Sequence, residues 1–188
     1  NQQDNLVKRP AVFLDRDGVL NELVFHNDEY TAPWSVDEFK FTKNAKLATN
    51  SLKDEGYLVF VVSNQPDLKD EKMSENDFVL MNRMVHKWLN VDEILCAVER
   101  GSWYYKPNNG MIEYLINKYN IDRSKSFMIG DRWKDIVCGK ASKLKTIYVG
   151  DKYNSPVEYS EIYPDYITDD VLNACIIILE NNNDKIVC

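Results

Sequence analysis

Apolar residues in this chain come in short runs that end at polar turns. Val12-Phe13-Leu14 stops abruptly at Asp15 and Asp17, one residue apart, with Gly18 behind them. Tyr57-Leu58-Val59-Phe60-Val61-Val62 is apolar throughout and rich in β-branched residues, the pattern of a strand buried on both faces. It ends in Ser63-Asn64-Gln65-Pro66. Residues 94–98, 126–129 and 145–149 read as further strands, and 165–168 as a short last one. Between them apolar positions recur at helical spacing. A helix is expected over 44–55, with Thr42 as its N-cap and Gly56 as its stop. Another follows the capping pattern Ser74-Glu75-Asn76-Asp77 and carries Phe78, Met81, Val85, Trp88 and Leu89 on one apolar face. Met111, Ile112, Leu115, Ile116 and Tyr119 mark a third, and a fourth runs to about Ser142. A last one passes through Leu172, Cys175, Ile176 and Leu179, capped by Asp169 or Asp170.

Strands alternating with helices predict an α/β fold with a mainly parallel central sheet and helices on both faces. A single domain is expected over 10–180, with a flexible N-terminus over 1–9 and a polar tail over 181–188. Residues 31–34 and 67–72 read as loops, 21–30 as mixed, and 153–164 as irregular and tyrosine-rich.

Composition narrows the class. The 188 residues suffice for one domain with a core, and 44% hydrophobic content is that of a globular chain. A formal net charge of −7 argues against a nucleic-acid or anionic-membrane surface. No apolar run is long enough to span a bilayer, and no signal-peptide pattern stands at the start. The cysteines Cys96, Cys138, Cys175 and Cys188 are scattered, so they read as apolar filler in a reducing cytoplasm.

The polar groups that follow the strands carry the chemistry. Asp15 and Asp17, Ser63 and Asn64, and Asp131 and Asp135 each follow a strand directly. Strand ends in a parallel sheet share one edge, and Lys106 reaches it after a short loop. Crowded carboxylates need a proton or a cation, and magnesium is the hard cation that oxygen ligands take. Such a set suits phosphoryl transfer: a carboxylate nucleophile, a second carboxylate as acid and base, and a lysine with neutral donors on the phosphate.

These motifs resemble those of the haloacid dehalogenase (HAD) superfamily of aspartate-nucleophile phosphatases. Asp15-Arg16-Asp17-Gly18-Val19 is similar to its first motif, Ser63-Asn64 to the second, Lys106-Pro107 to the third, and Gly130-Asp131 with Asp135 to the fourth. The resemblance implies a Rossmann-like three-layer sandwich and an aspartyl-phosphate intermediate. It implies Asp15 as nucleophile and Asp17 as general acid/base. Mg2+ would be held by Asp15, the Asp17 backbone carbonyl and Asp131, with Asp135 binding through water or orienting Asp131 and Lys106. Ser63, Asn64 and Lys106 would bind phosphate or substrate, with Arg16 and Tyr105 as further substrate contacts. Asp-Arg-Asp-Gly-Val-Leu-Asn, Ser-Asn-Gln and Lys-Pro-x-x-Gly-Met resemble, more narrowly, the histidinol-phosphatase and heptose-bisphosphate-phosphatase subgroup, small enzymes without a large cap domain.

The chain departs from that subgroup in three places, one being Pro66-Asp67 after Ser-Asn-Gln, where a small glycine-containing turn is common. The interval from Cys96 to Lys106 holds one cysteine and no histidine, so no zinc is expected. Tyr105 stands where an arginine is common, and Arg100, Arg132 or Arg16 is the replacement. His26 and His86 have no partner pattern, and Trp34, Trp103 and Tyr104 suit either the pocket or packing. The expected substrate is a small phosphorylated metabolite, a sugar phosphate such as heptose 1,7-bisphosphate. Histidinol phosphate or a nucleotide-related phosphate is the alternative within the class. A phospho-accepting signalling domain or an inactive scaffold is the alternative outside it. No nucleic-acid or membrane partner is expected, and the chain is expected to act as a monomer or a dimer.

Overall fold

A computed structural model describes residues 7–150 and 162–183. The strand at the centre of its sheet is β1 (Ala11–Leu14). A hairpin of β2 (Val24–His26) and β3 (Glu29–Thr31) follows, then α1 (Ala45–Asp54) and β4 (Leu58–Asn64). Next come α2 (Pro66–Lys69), α3 (Glu75–Leu89), β5 (Glu93–Ala97) and α4 (Gly110–Tyr119). The chain continues through β6 (Phe127–Gly130), α5 (Trp133–Ala141), β7 (Lys145–Val149), β8 (Tyr166–Thr168) and α6 (Val171–Asn183).

Six strands form one sheet in the order β5-β4-β1-β6-β7-β8, and every pairing in it is parallel. Successive strands step outward from β1 in one direction and then return to its other side. The order therefore reverses between β1 and β6, and that crevice is where such sheets bind ligands.

The strands are apolar on both faces, yet they still alternate. Val12, Leu14, Val59, Val61, Ile129 and Ile147 face the layer of α1, α3 and α6. Ala11, Phe13, Leu58, Phe60, Val62 and Met128 face α4 and α5. The helix stripes complete these two cores. On α3, Met81, Val85 and Leu89 are buried at spacing four. Ser74 caps that helix by accepting from the Asp77 amide at 3.0 Å, and Asn90 ends it in the left-handed region.

Several local expectations change. Trp88 is 52% exposed and lies off the buried stripe, with Lys46 Nζ 3.7 Å over its ring. Thr42 does not cap α1. Its hydroxyl donates to the Val19 and Leu20 carbonyls and ties the helix start to the loop after Asp17. Residues 66–69 form a helical turn that opens on Pro66 rather than a loop. The hairpin escapes the pattern because its strands are only three residues long; Asn27 and Asp28 supply the positive φ its tight turn requires. Arg9, expected in a flexible stretch, bridges to Ile121, and α6 carries on through residues expected in the tail. Residues 1–6, 151–161 and 184–188, with most of the stretch read as irregular, lie outside the described residues.

Leu52→Ala is expected to destabilise the fold by about 2–5 kcal/mol, because Leu52 is wholly buried between α1 and the sheet. Trp88→Ala should cost about 1 kcal/mol or less. Urea midpoints at unchanged slope measure both.

Candidate active site

Three local devices bring the carboxylates together. The first is the turn after β1. The Asp15 amide donates to the Ile129 carbonyl at 3.0 Å, extending the β1–β6 pairing by one residue. The Arg16 carbonyl then accepts from Val19, Leu20 and Asn21 amides, which curls the chain tightly. Gly18 sits there at φ +85°, and a Cβ on it would lie 2.0 Å from Asp131 Oδ2. Backbone conformation and close approach both exclude a side chain.

The second device is at the end of β6. A Cβ on Gly130 would lie 2.1 Å from the Asp135 Cβ, so its bareness lets Asp135 fold back from the first turn of α5. Asp135 Oδ2 accepts from the Arg132 amide at 3.2 Å. The third is the loop after β5. Asn64 grips the Lys106 backbone at two points, donating from Nδ2 to its carbonyl and accepting its amide on Oδ1, both at 2.9 Å.

Lys106 is the result. Its ammonium donates to Asp15 Oδ1 at 2.9 Å, Asp135 Oδ1 at 2.6 Å and the Val62 carbonyl at 2.7 Å, which uses all three of its hydrogens. Its side chain is 3% exposed. Burial alone pulls its pKa down, but the Asp135 and Asp15 charges outweigh burial and hold it above the usual lysine value.

One ammonium does not balance the acids around it. Asp15, Asp131 and Asp135 are all buried, and one oxygen of each lies within 4.8 Å of the others. Burial, followed by the Asp15 and Asp135 charges, raises the Asp131 pKa well above the usual carboxylate value. Burial and Asp15 raise Asp135 as well, against the pull of Lys106. Asp131 Oδ1 is buried without a hydrogen-bond partner. Clustered hard oxygens, an excess of negative charge and an unengaged carboxylate oxygen fit a divalent cation such as Mg2+.

Asp17 is held quite differently. Oδ1 accepts from Arg16 Nε and Nη2 and from Asn21 Nδ2, and Oδ2 accepts from Gln65 Nε2 at 2.6 Å. Asp15, Asp17, Lys106 and Asp135 open onto a cleft of about 300 Å³. The β2–β3 hairpin forms one wall with Glu29, Tyr30 and Thr31. Lys72, Arg100, Arg132 and Lys134 bring positive charge to the cleft, with Tyr105 beside them.

Most residues singled out in the sequence meet here, and two of them, Arg16 and Ser63, lie off the cleft lining. Arg16 does not line the cleft: it is 0% exposed, and its guanidinium is spent on Asp17 and on Asn82 Oδ1 of α3. Ser63 is likewise fully buried and off the lining, where its Oγ accepts from Gln65 Nε2 at 2.8 Å. Asn64 and Tyr105 do line the cleft. Arg100 and Arg132 are thus the arginines beside Tyr105, and Arg100 is ion-paired to Asp70 at 2.8 Å. Trp34, Trp103 and Tyr104 are absent from the lining. Trp34 stacks on His26 at 3.6 Å, and His26 bonds Thr31 and Glu38, so both brace the hairpin. Asn21, Gln65 and the hairpin were not singled out as functional. The sequence signal for Asn21 and Gln65 is that they close the stretches Asp-Arg-Asp-Gly-Val-Leu-Asn and Ser-Asn-Gln that carry the narrower resemblance.

The chain is similar to known proteins in sequence and in fold. The sequence model of a family described as HAD-hydrolase-like matches residues 104–174. The chain is 30% identical, in an alignment of 157 residues, to D-glycero-β-D-manno-heptose-1,7-bisphosphate 7-phosphatase of Haemophilus ducreyi, covering 73% of this chain and 81% of that one. It is 27% identical over 186 residues to D-glycero-D-manno-heptose-1,7-bisphosphate 7-phosphatase of Chlorobaculum tepidum, covering 87% and 91%. Among solved structures it is similar to D,D-heptose 1,7-bisphosphate phosphatase from B. bronchiseptica, complexed with magnesium and phosphate. That match has a TM-score of 0.79 at 19% identity and covers 92% and 99% of the two chains. No helix among the described residues is long and apolar enough to cross a membrane.

Removing one carboxylate should relieve the crowding. Asp131→Asn is expected to raise the thermal midpoint of the chelator-treated protein by roughly 2–4 °C, and to abolish the further rise that Mg2+ gives the wild type. Gly18→Ala should lower the midpoint with or without metal, since the new methyl meets Asp131. Thermal melts in EDTA and in Mg2+ measure both.

Proposed function

The chain belongs to the HAD-like hydrolases, on their phosphatase branch, and from that premise we propose that it is a magnesium-dependent phosphomonoesterase acting on a sugar bisphosphate of the heptose 1,7-bisphosphate kind. The observation that carries the reading is the convergence of Asp15, Asp17, Asp131, Asp135 and Lys106 where the strand order reverses, beside a cleft lined with cations.

Asp15, Asp131 and the Asp17 backbone carbonyl would hold the metal. Asp135, with an oxygen on Lys106 and the other on the Arg132 amide, orients the lysine and the loop. A Mg2+ held there would offset the mutual repulsion of the Asp15 carboxylate and the phosphate, which otherwise opposes attack.

The chain's own groups account for the rest. The Asp15 carboxylate attacks phosphorus, and the bond to the sugar oxygen breaks with its electron pair going to that oxygen. Asp17, as the neutral acid, gives this oxygen its proton and is left as carboxylate. In the second half, water attacks phosphorus while Asp17 takes a proton from it. The acyl phosphate opens, freeing phosphate and restoring Asp15 and the Asp17 acid. Lys106 keeps Asp15 aimed throughout and offsets its charge. Asn64 faces the cleft and keeps a second Nδ2 hydrogen for phosphate or sugar.

The cationic rim suits the phosphate that is not being transferred. Arg132 and Lys134 stand on the loop after β6 and the first turn of α5, and Lys134 Nζ lies 5.5 Å over the Tyr105 ring. Tyr30 of the hairpin offers the sugar an aromatic edge. The reading includes no zinc: before Lys106 the chain offers Cys96, whose Sγ receives Asn82 Nδ2. It places the enzyme in a reducing cytoplasm, acting as a monomer or a dimer.

Phosphate release from a panel of sugar, amino-alcohol and nucleotide phosphates tests this. Release is expected to be strongest with a heptose 1,7-bisphosphate, to stop in EDTA, and to fall by at least about a thousandfold in Asp15→Asn. Absence of turnover on every substrate overturns the reading. Lys134→Gln should raise KM for the bisphosphate by roughly tenfold with little change in kcat, the cost of one charged contact made equally in ground and transition states. Steady-state kinetics on the bisphosphate and the corresponding monophosphate measure it.

A further inference from the structure

Asp17 has two oxygens in unequal surroundings. Oδ1 accepts three hydrogen bonds, from Arg16 Nε at 3.1 Å, Arg16 Nη2 at 3.0 Å and Asn21 Nδ2 at 2.9 Å. Oδ2 accepts one, from Gln65 Nε2 at 2.6 Å. An oxygen that already takes three donors, two of them from a guanidinium, has no room for a proton. An oxygen with one donor keeps a lone pair for a hydrogen, and Gln65 fixes the direction that hydrogen must avoid.

We infer that Arg16, Asn21 and Gln65 are positioning residues that make Oδ2 of Asp17 the single oxygen through which the proton passes to the leaving group. The inference rests on the phosphatase reading of the same site and deepens it. Arg16 is the anchor. A fully buried guanidinium is costly unless every donor direction is used, and this one spans from Asp17 to Asn82 on α3, with Phe39 under its plane at 5.7 Å. The acid is thereby fastened to the helical layer through Asn82 of α3. The amides point the same way. Asn21 and Gln65 are both fully buried, and each commits its N–H side to Asp17 while its carbonyl oxygen has no partner among the described residues. An arrangement serving stability alone would engage those oxygens.

Neither Arg16 nor Gln65 touches the phosphate in this account, so their removal should weaken proton delivery and leave attack by Asp15 in place. The two steps separate by leaving group. A sugar alkoxide needs a proton to depart, whereas p-nitrophenolate does not. The ratio of kcat/KM for an alkyl phosphate (the sugar bisphosphate) to kcat/KM for p-nitrophenyl phosphate therefore isolates the acid. In Gln65→Met this ratio is expected to fall about tenfold relative to wild type, a partial loss of what general acid catalysis contributes. Near-UV circular dichroism confirms the fold. Should Gln65→Met not fold, Arg16→Lys, which keeps the charge but not the paired donation to Oδ1, gives the same readout. A ratio within about twofold of wild type in the folded variant overturns the inference while leaving the phosphatase reading intact. A wild-type protein that turns over neither substrate overturns both.

Discussion

Three buried carboxylates crowd one ammonium that bonds only two of them, Asp15 and Asp135, and most of the architecture exists to make that possible. Asp15, Asp131 and Asp135 repel one another in a site from which water is largely excluded, and Lys106 can neutralise only part of their charge. Left to themselves the side chains would turn outward. Three of the four cannot: Asp15 is fixed from behind by the extended β1–β6 pairing, Asp135 by the Arg132 amide, and Lys106 by the Asn64 grip on its backbone. Gly18 and Gly130 leave the room that the acids occupy. Stability is given up locally so that a cation and a phosphate meet a prepared site.

The sheet supplies the precision. Its strand order reverses between β1 and β6, so the strands that end in Asp15 and Asp131 lie side by side although more than a hundred residues separate them. The β2–β3 hairpin then does part of what a larger cap would do. It closes one wall of the cleft and is braced by the His26–Trp34 stack, away from the chemistry. A cleft of about 300 Å³ with a cationic rim suits a small sugar that carries two phosphates.

Much of this was legible in the sequence. The strands read clearly because both faces are buried and apolar runs of β-branched residues have few other uses. The carboxylates and Lys106 read clearly because each follows a strand, and parallel strands bring such ends together. What periodicity could not show was direction. Arg16 lies between two acids of the motif, yet it turns into the core, and nothing in the local pattern separates that from a side chain in the cleft. Trp88 fits the apolar stripe of α3 by spacing and still faces out, because the stripe is narrower than the spacing allows. Nor does spacing show that Ser63 is fully buried, with Gln65 donating to its hydroxyl oxygen. The hairpin depends on two turn residues at positive φ, which short strands do not advertise.

The account turns on Asp15 forming a covalent phosphoenzyme that Asp17 helps to resolve. The most direct measurement is peptide mapping by mass spectrometry of Asp17→Asn quenched in acid after incubation with p-nitrophenyl phosphate and Mg2+. This leaving group departs without an acid, so the first half proceeds and the second stalls. The account predicts one phosphoryl group, carried on Asp15. A phosphoryl group on any other residue, or burst release of p-nitrophenol with none retained on the protein, contradicts it.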